Sequence, residues 1–513
     1  MRFTLVLHQP APESGAFEKN AKKIVESLRA ARRRRPETPV VLFAPRAALE
    51  GLEGLRALEC DFVRMARDAA LKALHEEARL LKALVYMTVE GDRGPIAMVL
   101  GRNDGPTELR AFERRTGFEI DCLASTFPSV SVLTQDSPML LWEPFEIREP
   151  FCSNVSESVG LQSGTARISP SLGGCETSHA CAGGSFVDFG GTRFTARRYE
   201  PDALAFDCAA EDGRLLEVGA PERLLETPAR SLSLPQDERL AALIAAIRDY
   251  VSAVRAEGVV LGISGGIDSA LVAAAAVEAL GAARVRAQLL ASRFTSQESR
   301  ELARTLAERL GLELAERSIE VMHEAARRDY ADDLGDMVDG EITDQNIQAR
   351  LRSLRLMAIA NKENRILLCT ANKSEAAMGY GTLYGDLSGG FSPIVDLWKS
   401  EVRALCRAFN AWKGSECIPE AIIEREPTAE LRFDQKDSDS LPPYDEIERV
   451  MRAALGTDFE PADFTEAELS IVRAAARFAF KRRQCSIGLR LSSQTLGDFD
   501  ERFGINRTIE MRR

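Results

Sequence analysis

Along the first hundred residues, short apolar runs alternate with longer stretches whose apolar positions recur at helical spacing. Thr4–Leu7 predicts a first strand. Glu18–Arg32 predicts a helix through Ala21, Ile24, Val25 and Leu28, and Val40–Phe43 a second strand ending at a proline-containing turn. Arg64–Lys82 reads as a long helix leading into strands Ala83–Val89 and Ile96–Leu100. Short buried strands between surface helices predict an α/β fold. From Cys152 to Gly191 serine and glycine dominate, which predicts loops and hairpins with weaker strands.

Leu232–Asp237 marks a predicted boundary between an N-terminal domain over 1–230 and a C-terminal domain over 237–513. Asp237 is placed to cap a helix carrying Leu240, Leu243, Ile244, Ile247, Tyr250 and Val251 on one face. A strand follows, and then Gly262-Ile263-Ser264-Gly265-Gly266-Ile267-Asp268-Ser269 leads into a helix over Ala270–Leu280. A strand, a glycine-rich turn and a helix N-terminus together make an anion site, because backbone N–H groups and the helix dipole face the ligand. Asp268 would repel a phosphate unless a cation lies between them, so its presence implies Mg²⁺.

Composition narrows this little. At 513 residues, 45% apolar and 28% charged, the chain has the make-up of a soluble globular protein with several domains. A formal charge of -12 argues against a general nucleic-acid binder, and no apolar run is long enough to predict a membrane span. The N-terminus lacks a secretory signal, and ten scattered cysteines without a CxxC pair suit a reducing cytoplasm, the expected location. Cys175, His179 and Cys181 have metal-like spacing but no fourth ligand nearby, so they read as ordinary side chains of a loop.

The glycine loop matches the SGGxDS pattern of the ATP pyrophosphatase superfamily, which also includes GMP synthetase, asparagine synthetase and tRNA-modifying enzymes. Further stretches select within it. Gln345-Asn346-Ile347-Gln348-Ala349-Arg350, Thr370-Ala371-Asn372-Lys373-Ser374-Glu375, Leu383-Tyr384-Gly385-Asp386, Leu441-Pro442-Pro443-Tyr444 and Lys481-Arg482-Arg483-Gln484 resemble, in order, segments of NAD synthetases. The resemblance implies a carbon–nitrogen ligase that converts deamido-NAD, ATP and ammonia to NAD, AMP and pyrophosphate through an acyl adenylate. It also implies a C-terminal Rossmann-like parallel sheet of the adenine-nucleotide α-hydrolase kind.

Carried over residue by residue, it implies Asp268, Lys399 and Asp386 as catalytic and Asp268 and Glu375 as Mg²⁺ ligands. ATP would meet Gly262, Ile263, Ser264, Gly265, Gly266, Ile267, Asp268, Ser269, Arg293, Thr370, Lys399 and Thr428. Deamido-NAD would meet Asn346, Arg350, Glu375 and Lys481. A homodimer or larger homo-oligomer is expected by the same resemblance.

Residues 1–220 resemble a nitrilase-like α/β sandwich, the ammonia-supplying glutaminase of longer family members. The resemblance rests on His8-Gln9-Pro10, Val40–Pro45, Leu172-Gly173-Gly174 and Gly184-Ser185-Phe186. Its catalytic positions are altered. The family's glutamate position reads Ala44-Pro45-Arg46, with Glu50 one helical turn on, and no lysine occurs between Lys82 and Lys362. Cys122 stands near the nucleophile position but is followed by Leu123-Ala124. The expectation is therefore a glutaminase fold without the activity, with free ammonia or a separate glutaminase subunit as the nitrogen source. A glutamine-hydrolysing enzyme with a rearranged site and a non-catalytic scaffold are the alternatives.

Overall fold

A computed structural model describes residues 2–13, 15–45, 47–50, 61–91, 94–101, 107–108, 120–122, 140–142, 166–169, 173–176, 179–211, 214–225, 234–456, 460–492 and 495–497. The chain divides into two compact units, one of Met1–Glu176 with Ala180–Ser231, the other of Leu232–Arg513 with Thr177–His179.

The first unit contains β1 (Arg2–Gln9), α1 (Phe17–Arg34), β2 (Val40–Phe43), α2 (Asp61–Leu80), β3 (Ala83–Gly91), β4 (Gly94–Leu100) and β5 (Thr107–Glu108). It continues through β6 (Ile120–Cys122), β7 (Leu140–Trp142), β8 (Ala166–Ser169), β9 (Gly173–Glu176), β10 (His179–Ala182), β11 (Phe186–Phe189) and β12 (Thr192–Thr195). It ends with β13 (Asp202–Glu211), β14 (Arg214–Val218) and β15 (Glu222–Arg223). One sheet has the order β14-β13-β1-β2-β3-β4-β5, a second the order β12-β11-β8-β7-β6, and β9 pairs with β10.

The first sheet is buried on both faces, so its strands read as continuous apolar runs. Val6, Leu42, Val85 and Met87 pack on α1 and α2 through Ile24, Leu28, Leu74 and Ala78. Their alternating neighbours Leu5, Leu7, Val41, Phe43 and Tyr86 meet Ala166, Ile168 and Val187 of the second sheet. Gln9 ties the end of β1 to later turns: its Nε2 donates to the Arg197 and Glu200 carbonyls and its Oε1 accepts from Ser185. The side chains of Cys122, Cys175, His179 and Cys181, and the whole of Arg46, lie outside the described residues.

The second unit opens with α3 (Glu238–Ala253), capped by Asp237, whose carboxylate accepts from the Arg239 and Leu240 N–H groups. A parallel sheet has the order β18-β17-β16-β19, from β16 (Gly258–Gly262), β17 (Val285–Ala291), β18 (Leu314–Ser318) and β19 (Arg365–Leu367). The intervening helices are α4 (Ile267–Leu280), α5 (Gln297–Arg309), α6 (Glu320–Leu334) and α7 (Ile342–Glu363). After β19 the chain is helical: α8 (Lys373–Met378), α9 (Lys399–Lys413), α10 (Glu420–Glu424), α11 (Tyr444–Leu455), α12 (Glu466–Arg477) and α13 (Ala479–Arg482). α4 begins three residues before its predicted start, which puts Asp268 and Ser269 in its first turn.

A late segment straps the far side of α8. Arg482 donates to the Ala376 and Ala377 carbonyls. Asp396 binds the buried Lys373 ammonium at 2.7 Å and also accepts from the Leu491 N–H at 2.7 Å and the Ser492 hydroxyl at 2.8 Å. No described helix is long and apolar enough to cross a membrane.

His8, fully buried on β1 with Nδ1 3.0 Å from Ser27 Oγ, is pushed down to about 3 by burial, with Lys23 adding to it. Its folded pKa lies below its ordinary value, so the unfolded chain binds the proton first. The first unit should then lose stability as pH falls from about 6.5 towards 3. His8→Asn should flatten that dependence by close to one proton, measured by denaturant unfolding across the range. An unchanged slope would contradict the assignment.

Candidate active site

β16 delivers the glycine loop to the carboxyl edge of the parallel sheet, where ligands of open α/β folds bind. Gly265 sits at φ +83°, and a Cβ there would lie 2.5 Å from the Ser299 carbonyl, so only glycine fits. Ser269 and Ser264 close the turn: the Ser264 N–H and hydroxyl lie 3.3 Å from Ser269 Oγ, which donates back to the Gly266 carbonyl. Gly266 caps α4 without a side-chain acceptor, which leaves the first N–H groups of the helix for a ligand.

Three charged side chains from separate elements meet beside this loop. The Lys399 ammonium donates to Asp268 Oδ2 at 2.6 Å and to Glu375 Oε1 at 3.3 Å. Asn372 holds both carboxylates. Its Nδ2 donates to Asp268 Oδ1 at 2.9 Å, its Oδ1 caps α8 by accepting the Glu375 N–H, and its own N–H binds Glu375 Oε2. Lys399 is the first residue of α9, and its N–H donates to Ser374 Oγ.

Burial raises Glu375 to about 8, since Lys399 offsets only part of the desolvation and the Asp268 charge opposes ionisation. For Lys399 burial works against the charge, but the Asp268 and Glu375 carboxylates outweigh it and push its pKa up. Tyr380 and Tyr444 both donate to Asp437, at 3.1 and 2.7 Å, next to this cluster.

The cluster and the loop line one cavity of about 320 Å³, whose apolar part is formed by Ile263, Leu289, Leu290, Leu356, Leu367 and Leu368. Thr370, Thr428 and Asp386 also line it. Desolvation by the cavity wall raises the pKa of Asp386, against its hydrogen bond from the Thr382 N–H. The expected dinucleotide contacts gather on a neighbouring turn. Asn346 accepts from Thr382 Oγ1 at 2.7 Å, Arg350 donates to the Leu383 carbonyl, and Lys481 Nζ binds the Gly379 and Gly381 carbonyls at 2.8 Å each. Tyr384, at φ +63° and largely exposed, forms the tip of this turn and donates to Gln484.

Arg293 is placed differently. Its guanidinium pairs with Glu320 at 2.7 Å, Glu324 and Asp339 and does not line the cavity. The sequence reading missed Arg352, whose buried guanidinium donates to the Leu290 carbonyl and Ser292 Oγ and is pulled down to about 10 by burial. It also missed Asn372, although Asn-x-x-Glu ahead of a helix is the sequence pattern of a capping box.

Removing the one cation from this cluster should leave two partly buried carboxylates facing each other. Lys399→Met is expected to lower unfolding stability by about 3–5 kcal/mol, and adding Asp268→Asn should restore part of the loss. Equal stability in Lys399→Met and the parent chain would contradict the cluster's role.

Comparisons with known proteins cover this part of the chain. The family model of NAD synthase matches residues 239–485. The glutamine-dependent NAD(+) synthetase of Thermotoga maritima is 40% identical over 276 residues, 52% of this chain and 47% of that protein. That of Aquifex aeolicus is 35% identical over 337 residues, 60% of this chain and 59% of that protein. The chain thus spans about half the length of the curated relatives it matches. Among solved structures, glutamine-dependent NAD⁺ synthetase from Acinetobacter baumannii, bound to ADP, aligns over 97% of each chain with TM-score 0.62 and 23% identity. That from Cytophaga hutchinsonii covers 97% of this chain and 96% of its own, with TM-score 0.67 and 17% identity. These two likenesses carry the fold: a nitrilase-like first unit and a Rossmann-like second unit. The glycine loop and the Asp268–Lys399–Glu375 cluster lie inside residues 239–485, the span of this chain that matches the family model of NAD synthase.

Proposed function

We propose that the chain makes NAD from deamido-NAD, ATP and ammonia, releasing AMP and pyrophosphate. The observation that carries this reading is the Lys399 ammonium held between Asp268 and Glu375 at the mouth of the glycine loop. A free nicotinate carboxylate has no usable leaving group. Its oxygen attacks the α-phosphorus of ATP, the bond to the β-phosphate breaks, and pyrophosphate departs. Ammonia then attacks the acyl carbon, and AMP leaves with the carboxylate oxygen.

The residues serve these steps by placing charge. The N–H groups at the start of α4 and the Lys399 ammonium face the phosphates as negative charge shifts to the leaving oxygen. Asp386, on the cavity wall next to the Asn346–Arg350–Lys481 turn, takes the proton that ammonium must lose. That turn receives the dinucleotide.

Asp268 and Glu375 fit a divalent cation. They converge on the Lys399 ammonium, and their mutual repulsion, with that of Asp437, helps to raise Glu375. Two carboxylates with water and phosphate oxygens are the usual shell of Mg²⁺, which when bound neutralises the triphosphate. The Mg²⁺ would be held by these two side chains.

Free ammonia is the donor this reading favours, because the glutamate position is Ala44-Pro45-Arg46 and no lysine lies between Lys82 and Lys362. Glutamine hydrolysis by a rearranged first unit is the second reading, favoured by the relatives' shared description as glutamine-dependent. Exposed apolar side chains on α6 (Val321, Leu334), on the connection that follows it (Val338) and on α7 (Ile342, Leu354) support a homodimer through this part of the second unit.

The deciding measurement is NAD formation from deamido-NAD, ATP and Mg²⁺ with ammonium or glutamine. Turnover with ammonium alone is expected. Turnover with glutamine that Cys122→Ala abolishes would establish the second reading, and none with either donor would overturn the synthetase assignment. Asp386→Asn should lower kcat at least tenfold with ammonium, an order of magnitude typical of a lost proton acceptor.

A further inference from the structure

The cavity has an acidic lining for a site that takes a triphosphate. Among the described residues, Asp268, Glu375, Asp386, Glu426, Glu430 and Asp437 line it, against the cations Arg352, Lys399 and Arg425. Two of those cations are committed. Lys399 is shared by Asp268 and Glu375, and Arg352 is buried on the Leu290 carbonyl and Ser292.

Arg425 is differently held. Its Nη1 donates to Ser299 Oγ at 2.6 Å, and its Nη2 lies 3.0 Å from Glu430 Oε1, 3.4 Å from Ser296 Oγ and 3.5 Å from Glu298 Oε2. Ser299 is the residue whose backbone abuts Gly265, so the Arg425 fork stands at the phosphate-loop end of the cavity, on the segment that also carries Thr428. Its carboxylate partner does not depend on it. Glu430 Oε1 also accepts from the Ser296 and Ser299 hydroxyls at 2.7 Å each, and Oε2 from the Ser296 N–H. Glu430 therefore keeps its hydrogen bonds if the guanidinium turns away.

Resting on the synthetase reading, we propose that Arg425 is a pyrophosphate-binding residue that Glu430 holds in reserve: when ATP enters, the guanidinium exchanges the Glu430 carboxylate for the terminal phosphate oxygens and retains them as pyrophosphate leaves. A planar fork suits two phosphate oxygens better than a lysine would. The Arg425–Glu430 contact is a single one, at 3.0 Å, while phosphate offers the fork two oxygens.

The test is calorimetric titration of the full chain with inorganic pyrophosphate in Mg²⁺, without dinucleotide. Arg425→Gln should weaken binding about 10- to 100-fold, Arg425→Lys less, and Glu430→Gln should leave it equal or tighter. Arg425→Ala serves as a second truncation, with thermal melts confirming that each variant is folded. A loss in Arg425→Gln smaller than tenfold, or an equal loss in Glu430→Gln, overturns the exchange and makes the network a scaffold for α5. If the parent chain binds neither pyrophosphate nor ATP, the synthetase reading fails with it.

Discussion

The second unit is organised around a single ammonium group. Lys399 is nearly inaccessible to solvent, and its charge is tolerable only because two carboxylates approach it from other elements. That requirement fixes much else. Asp268 must lie in the first turn of α4, Glu375 in the first turn of α8, and Lys399 at the start of α9. The parallel sheet holds the first in place, and Asn372 spans the first two. The result is two carboxylates sharing one ammonium.

Much of this was legible in the sequence because the relevant segments are local. A strand, a glycine turn and a helix start are adjacent in the chain, and they form in that order, with the helix starting three residues early. Asn346, Arg350 and Lys481 each sit in a recognisable segment, but that they meet on one turn is seen only in the fold. What stayed hidden depends on segments that meet only in the fold. Arg425 and Glu430 reach Ser296 and Ser299 across more than a hundred residues, and no spacing rule links such positions. Arg293 turned away because α6 brings Glu320 beside it, a neighbour that the loop's own sequence does not reveal.

The first unit was read less completely for a different reason. Its central strands are buried on both faces, so the alternation that would assign Leu5 to one layer and Val6 to the other is lost in a uniform apolar run. Gln9 shows the same limit. A glutamine at the end of a strand suggests a surface position. Here it is wholly buried and organises the turns around Ser185 and Arg197.

The strap behind α8 has a bearing on how the protein is made. Asp396, three residues before Lys399, completes its coordination with the Leu491 N–H and the Ser492 hydroxyl, and Arg482 covers the end of the helix that carries Glu375. Residues 482–492 are synthesised after the glycine loop and the parallel sheet, so the charge cluster gains its rear support later than the elements it stands on.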